Sequence, residues 1–250
     1  MNRPRALVLR APGTNRDGDA AFALDLVGAD PRRVLVSEVF DNPKLLHESQ
    51  LLVIPGGFSF ADALGAGRLF ALELVTRLSE ELAEFVEAGK PVIGICNGFQ
   101  VLVRTGLLPG AGLTVALGQN AVGSTSNGKF ICDWVLLRPA SKRSIWTARL
   151  SEEIECPIAH GEGRFVCDPE TLAALQANDQ IAFRYAADNP NGSLDDIAGI
   201  CDDTGLVLGL MPHPEDHVLP RQHPQSLRGH RGGLARRLFE AGVDHAKETR

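Results

Sequence analysis

No stretch of this sequence is apolar enough to suggest a membrane span. The longest uncharged run, residues 105–128 of 250, is broken by Pro109 and several glycines and carries Gln, Asn, Ser and Thr. The start offers only Ala6-Leu7-Val8-Leu9 between arginines, too short for the core of a secretory signal, so no export is expected. A basic excess is also missing: the net charge of -6 makes nucleic acid a poor candidate ligand. The five cysteines, Cys96, Cys132, Cys156, Cys167 and Cys201, are odd in number, widely spread and free of any C-x-x-C pair. That excludes a disulfide framework and a cysteine zinc site, and it suits a reducing cytoplasm with no metal required. The phosphate-loop pattern G-x-x-x-x-G-K-[ST] is absent, so ATP is not expected to bind this chain through such a loop. Repeats and low-complexity linkers are lacking as well. What remains is an ordinary globular composition, 44% hydrophobic and 22% charged, at a length that suits one domain over residues 1–250.

The N-terminal part alternates short β-rich runs with longer helical patterns, which predicts an α/β fold of three layers, helices on both faces of a mostly parallel central sheet. Residues 6–9, 34–36, 51–54 and 91–95 read as its strands, and residues 134–137, 154–159, 197–201 and 206–211 as further ones. Ala21, Phe22, Leu24, Leu26 and Val27 suit a first helix ended by Gly28. Residues 69–88 read as one long helix whose stripe Leu72, Val75, Leu78, Leu82, Phe85 and Val86 faces the core, with Glu80, Glu81, Glu84 and Glu87 in solvent. A closing helix is expected over residues 233–241, and a surface loop over the Gly/Ser/Asn-rich residues 118–128. Cys132, Cys156, Cys167 and Cys201 lie in or beside apolar runs and read as inert core thiols.

Cys96 is different, because it stands at the junction of a strand and a helix in Gly94-Ile95-Cys96-Asn97-Gly98. Small residues two positions either side of a nucleophile permit the sharp turn that exposes it. The start of the following helix favours a thiolate and frees the Asn97 N–H for an oxyanion. A cysteine nucleophile needs a histidine and a group to orient it, and two H-x-E pairs qualify: His160-Gly161-Glu162 and His213-Pro214-Glu215. Spacing does not choose between them. Position favours His213, which lies just beyond a buried strand, as do Cys96 and the Pro55-Gly56-Gly57 turn; open α/β sheets place ligands beyond the carboxyl ends of their strands.

With these residues in hand the chain resembles the class I glutamine amidotransferases, a flavodoxin/Rossmann-like α/β/α family. Within them it is similar to the family of glutaminase subunits of phosphoribosylformylglycinamidine synthase. The segments that carry the likeness are Pro12-Gly13-Thr14-Asn15, Pro55-Gly56-Gly57-Phe58-Ser59, Gly94-Ile95-Cys96-Asn97-Gly98-Phe99-Gln100, Ala159-His160-Gly161-Glu162-Gly163-Arg164, Asn189-Pro190-Asn191-Gly192-Ser193 and Met211-Pro212-His213-Pro214-Glu215. The resemblance implies that Cys96 attacks the side-chain amide of L-glutamine to give a glutamyl thioester, that His213 shuttles the proton and that Glu215 orients His213. It implies an oxyanion hole from the Gly57 and Asn97 N–H groups, and contact of Gly56, Phe58 and Gln100 with the substrate. His160, Glu162 and Arg164 would lie at the active-site mouth or at an interface. The implied partners are a large ATP-dependent synthetase, which receives the ammonia and holds ATP and Mg, and a small third subunit; no cofactor is implied in this chain. Arg16 stands where the family often has cysteine, and Ala61 where a glycine is usual.

Two other readings stay open on the residues. A stand-alone cysteine hydrolase or peptidase on a similar sheet often has histidine directly after the nucleophile, where this chain has Asn97. A catalytically silent binding subunit is the other, and activity measurements separate it.

Overall fold

The computed structural model describes residues 3–110, 112–121 and 128–249. Its centre is a nine-stranded sheet of β1 (Arg5–Arg10), β2 (Asp30–Leu35), β3 (Leu51–Ile54), β4 (Val92–Ile95), β6 (Ile131–Pro139), β7 (Ile154–His160), β9 (Ile181–Tyr185), β10 (Ile197–Cys201) and β11 (Val207–Leu210). Strands β5 (Val115–Gln119) and β8 (Glu162–Cys167) form a separate antiparallel pair. The spatial order is β2-β1-β3-β4-β11-β10-β9-β6-β7. Pairing is parallel from β2 to β11 and antiparallel from there to β7. The parallel half is the flavodoxin-like arrangement, with a later strand completing the run. Strands β3, β4 and β11 are buried at every residue, as parallel strands covered on both faces must be, which is why they are unbroken apolar runs.

Helices α1 (Asp17–Leu26) and α8 (Arg236–Glu248) pack together, while α4 (Arg68–Arg77) packs on α6 (Asn97–Thr105), which itself lies on β3, β4 and β11. The short α2 (Val36–Asp41) and α3 (Lys44–His47), then α5 (Ser79–Glu87) and α7 (Pro169–Ala177), complete the layers. Among the described residues no helix is long and apolar enough to cross a membrane.

Several sequence expectations are corrected. The long helix over 69–88 is two helices, α4 and α5, meeting at Leu78, whose φ of -139° breaks the helical path. The break also shifts the buried face: Phe70, Ala71, Leu74, Leu78, Leu82 and Phe85 are buried, whereas Leu72 and Val75 are 57% and 43% exposed. Those two are three residues apart and share the outer face of α4. Val36 begins α2 rather than ending a strand, and the closing helix starts at Arg236 and continues to Glu248. Gly118 and Gln119 belong to β5 rather than to a loop; residues 122–127 of that expected loop lie outside the described residues. Of the four secondary cysteines, Cys156 and Cys201 are buried, but Cys132 is exposed and Cys167 is half-buried.

After β11 the chain runs as a strap of 3₁₀ turns, Pro214–His217, Pro220–Gln222 and Ser226–Arg228, fastened to β7 through Glu155. His217 Nδ1 bonds the Glu155 carbonyl, while the Glu155 carboxylate meets His223 Nε2 at 3.3 Å and His230 Nε2 at 2.9 Å. The Gln225 N–H donates to His223 Nδ1 at 3.1 Å, which puts the proton of neutral His223 on Nε2, facing the carboxylate. That tautomer is a donor to Glu155, the reverse of what a metal ligand at Nε2 requires, so the cluster reads as a fastening.

Candidate active site

Cys96 stands between β4 and α6 with φ 51° and ψ -106°, a strained conformation for a residue bearing a Cβ. The glycines around it explain how the turn fits. A Cβ on Gly98 would fall 1.8 Å from the Ile54 carbonyl oxygen, and one on Gly94 would fall 2.6 Å from the Gly98 carbonyl oxygen and 2.5 Å from Leu102 Cδ1. Their absence lets α6 start in contact with the ends of β3 and β4. The thiol is 6% exposed and sits at the helix N-terminus, where unpaired N–H groups and the helix dipole favour negative charge.

Strand β11 pairs with β4 in parallel register, Leu210 opposite Ile95, so the chain leaves both strands at the same edge. This places His213 beside Cys96. The His213 N–H donates to the Pro157 carbonyl at 2.8 Å, and its Nδ1 donates to Glu215 Oε1 at 2.8 Å. With Nδ1 so engaged, Nε2 is the atom left to exchange a proton with the sulfur, and Cys96 Sγ itself lies 4.0 Å from the Ala159 carbonyl oxygen. Both His213 and Glu215 are buried. Burial opposes the imidazolium, but the charges of Glu215 and Cys96 outweigh it and hold His213 well above the ordinary histidine range. Gly56 fills the gap between them: a Cβ there would lie 2.6 Å from His213 Cε1 and 3.4 Å from Cys96 Cβ.

Gly57 adopts φ 138°, and a Cβ on it would strike the Asn15 backbone nitrogen at 2.6 Å. The flanking bonds, Arg16 N–H to Gly56 O and Phe58 N–H to Gly13 O, clamp this turn to the segment before α1 and leave the Gly57 N–H outside the ladder. The Asn97 N–H, in the first turn of α6, has no intrahelical acceptor. The Asn97 side chain is the hub of a buried network: its Oδ1 accepts from Ser59 Oγ at 2.5 Å, and its Nδ2 donates to Asp62 Oδ1 at 3.0 Å and to Gln100 Oε1 at 3.1 Å. Gln100 Nε2 donates in turn to the Glu162 carbonyl at 2.6 Å. Burial raises the Asp62 carboxyl, opposed by its bonds from Gly67 and Asn97. Gly57, Phe58, Cys96, Gln100, His160 and Glu162 line a common cavity of about 260 Å³. This lies below the roughly 300–1,000 Å³ of pockets for drug-sized ligands and suits a small metabolite.

The second H-x-E pair behaves differently. His160 ends β7 and Glu162 begins β8, and the His160 Nδ1 bonds Asn120 Oδ1 at 3.1 Å instead of reaching Glu162. Asn120 Nδ2 donates to the carbonyls of His160 and Lys129, so its Oδ1 is an acceptor and His160 carries its proton on Nδ1. Arg164 lies farther along β8 beside Gly118 and is not brought to the cavity with the others. Burial, followed by the charge of His213, lowers the His160 pKa to about 4. A depressed pKa gives stability that is full above the unfolded value of 6.5 and is lost as pH falls toward 4, because only the unfolded chain takes the proton. For this buried group the loss is on the order of 3 kcal/mol. Urea midpoints at pH 7 and pH 4.5 check it: the His160→Gln difference from wild type is expected to shrink at pH 4.5, and an unchanged difference rejects the assignment.

Composition and spacing did not reveal Ser59, Asp62, Asn120 or Asp216, whose roles arise from long-range contacts. The Glu215-Asp216 dipeptide was visible, but nothing in it signals that both side chains are drawn inward.

A model of the CobB/CobQ-like glutamine amidotransferase domain matches residues 3–246. A phosphoribosylformylglycinamidine synthase subunit PurQ of Treponema denticola is 47% identical over 97% of this chain and 99% of its own length. The PurQ subunit of Dehalococcoides mccartyi is 39% identical over the whole of both chains. Among solved structures, a chain of PurLQS from Thermotoga maritima superposes with a TM-score of 0.76 at 35% identity, covering 97% of this chain and 99% of that one. On this similarity in sequence and in fold, the chain belongs to the CobB/CobQ-like glutamine amidotransferase family and, within it, to the PurQ subunits of phosphoribosylformylglycinamidine synthase.

Proposed function

We propose that the chain is a single glutamine amidotransferase domain that hydrolyses L-glutamine to glutamate and ammonia and delivers the ammonia to an ATP-dependent synthetase. That synthetase converts formylglycinamide ribonucleotide to formylglycinamidine ribonucleotide in purine biosynthesis. The observation that carries the reading is the meeting of Cys96 with the His213–Glu215 pair, held at 2.8 Å, at the carboxyl ends of the adjacent parallel strands β4 and β11.

Cys96 Sγ attacks the carboxamide carbon of glutamine, and the oxyanion that develops is received by the Gly57 and Asn97 N–H groups. His213, held protonated by Glu215, gives its Nε2 proton to the departing nitrogen, which leaves as ammonia. The glutamyl thioester remains on Cys96. A water molecule then adds to the thioester carbonyl with His213 taking its proton, and collapse releases glutamate and the thiolate. Phe58 and Gln100 shape the cavity for the substrate, while Gly56 lies behind it, between His213 and Cys96; the Gln100 side chain is tied to Asn97 and Glu162, so it supports the site through those bonds. His160 and Glu162 line its mouth, and Arg164 stands farther out on β8, toward an interface.

The partner reading is supported by apolar exposure around that mouth: Phe58, Leu64 and Phe130 are 47%, 74% and 50% exposed. A large synthetase subunit, which holds ATP and Mg, and a small third subunit are the partners we assign. The five free cysteines fit work in a reducing cytoplasm.

Glutamate release measured for the chain alone, and then with its synthetase and the ribonucleotide substrate, tests the reading. Docking is expected to raise the rate, because contact at the mouth completes the oxyanion hole. No glutamate from a demonstrably formed complex would leave the silent-subunit reading in its place.

A further inference from the structure

The turn that carries His213 and Glu215 sets a second carboxylate beside them. Ligand atoms of His213, Glu215 and Asp216 lie within 4.8 Å of one another. Two carboxylates this close, in a largely buried setting, compete for a single proton. Glu215 is fully buried, and among the described residues its Oε2 has no hydrogen-bond partner, so no donor to that oxygen offsets the competition.

The opposing charge comes from Arg16, just before α1. Its Nη1 lies 3.4 Å from Asp216 Oδ2 and 3.3 Å from Asp19 Oδ2. Its backbone N–H donates to the Gly56 carbonyl at 3.2 Å, which fixes the residue to the turn inserted between Cys96 and His213. The groups facing Asp216 are Glu215 and His213 on its own segment, Arg16 and Asp19 from the start of α1, and the Cys156 thiol from β7. Burial and then Glu215 push the Asp216 carboxyl up to about 6, while Arg16 and His213 pull it down. Removing Arg16 takes away a charge that lowers the Asp216 carboxyl, so its proton affinity rises further. A protonated Asp216 is a hydrogen-bond donor beside the unpartnered Glu215 Oε2 and draws that carboxylate away from the imidazole Nδ1–H.

We propose that Arg16 is a positioning residue for the triad: its guanidinium holds Asp216, the second carboxylate behind His213, as an anion, so that Glu215 stays committed to the imidazole Nδ1–H. The inference rests on the reading of Cys96, His213 and Glu215 as the triad.

The test is the pH profile of kcat/KM for glutamine hydrolysis in the complex with the synthetase, for wild type, Arg16→Gln, Arg16→Lys, Asp216→Asn and the Arg16→Gln/Asp216→Asn pair. Because the Arg16 side chain is 40% exposed, the expected effect is modest: the acid limb moves up by about one pH unit in Arg16→Gln. That is about a tenfold loss near pH 6 and little loss near pH 8.5. Arg16→Lys retains most of the wild-type profile. In the Asp216→Asn background, Arg16→Gln moves the limb little, since the competing anion is gone. A loss equal at every pH, or the same shift with Asn at 216, overturns the proposal. Cys96→Ala is assayed alongside: if it still releases glutamate, the triad reading itself fails. If it is inactive while the Arg16→Gln profile overlies wild type, only the role given to Arg16 fails.

Discussion

Cys96→Ala and His213→Ala each lower kcat for glutamine hydrolysis by about four orders of magnitude or more, and the double variant is no slower than the worse of the two. The non-additivity is the informative part. Cys96 supplies the only thiol among the described residues lining the cavity, and His213 stands beside it across Gly56 with Nδ1 committed to Glu215, which leaves Nε2 for the proton. Once either is missing, the other has no reaction to assist. Glu215→Gln is expected to cost less, because an amide oxygen still accepts the Nδ1–H while the charge that favours the imidazolium is lost. Single-turnover measurement of glutamate, with melting temperatures to confirm the fold, checks the series. A double variant slower than both singles by a further factor of about a thousand would show two independent contributions and sink the triad.

Gly98→Ala prevents folding or destabilises the chain by about 3 kcal/mol or more, although alanine is the better helix former. The added methyl would lie 1.8 Å from the Ile54 carbonyl oxygen, a backbone atom in the central strand β3 that has no rotamer by which to withdraw. Relief must come from lifting the first turn of α6 off the sheet, which also carries the Asn97 N–H and Cys96 out of place. Gly106→Ala, at the other end of the same helix, is the control. Gly106 has φ 81° but nothing within 4 Å of a Cβ, so its cost is that of left-handed backbone, about 1 kcal/mol. Urea denaturation of both variants separates the two terms; equal destabilisation would mean that conformation, and not the contact with Ile54, demands glycine at 98.

The central strands were legible because burial on both faces leaves no polar option: residues 51–54 and 197–201 are strands with the bounds that the apolar runs suggest. The helix-period stripe from Leu72 misled because a hydrophobic pattern does not record a break in the axis, and Leu78 turns the chain there. Strands β5 and β8 went unrecognised, since Val115–Gln119 and Glu162–Cys167 pair only with each other and mix polar with apolar residues. In the site, Cys96 announced itself by its small neighbours, and His213 by its place after β11. Position after a buried strand already favoured His213 over His160; what the sequence did not show is that Asn120, a residue with no motif around it, takes the His160 Nδ1–H. Asp216 and Arg16 were visible as letters but not as a pair.

The order of strands also dictates when the enzyme comes alive. β11, the strand beside β4, is the last to be synthesised, so a ribosome that has delivered Cys96 has still to deliver the whole antiparallel half of the sheet before His213 emerges. Throughout that interval the nascent chain carries the thiol without its base. Activity is therefore switched on by the final long-range closure of the sheet, and a chain truncated before residue 213 carries the nucleophile but no machinery to use it.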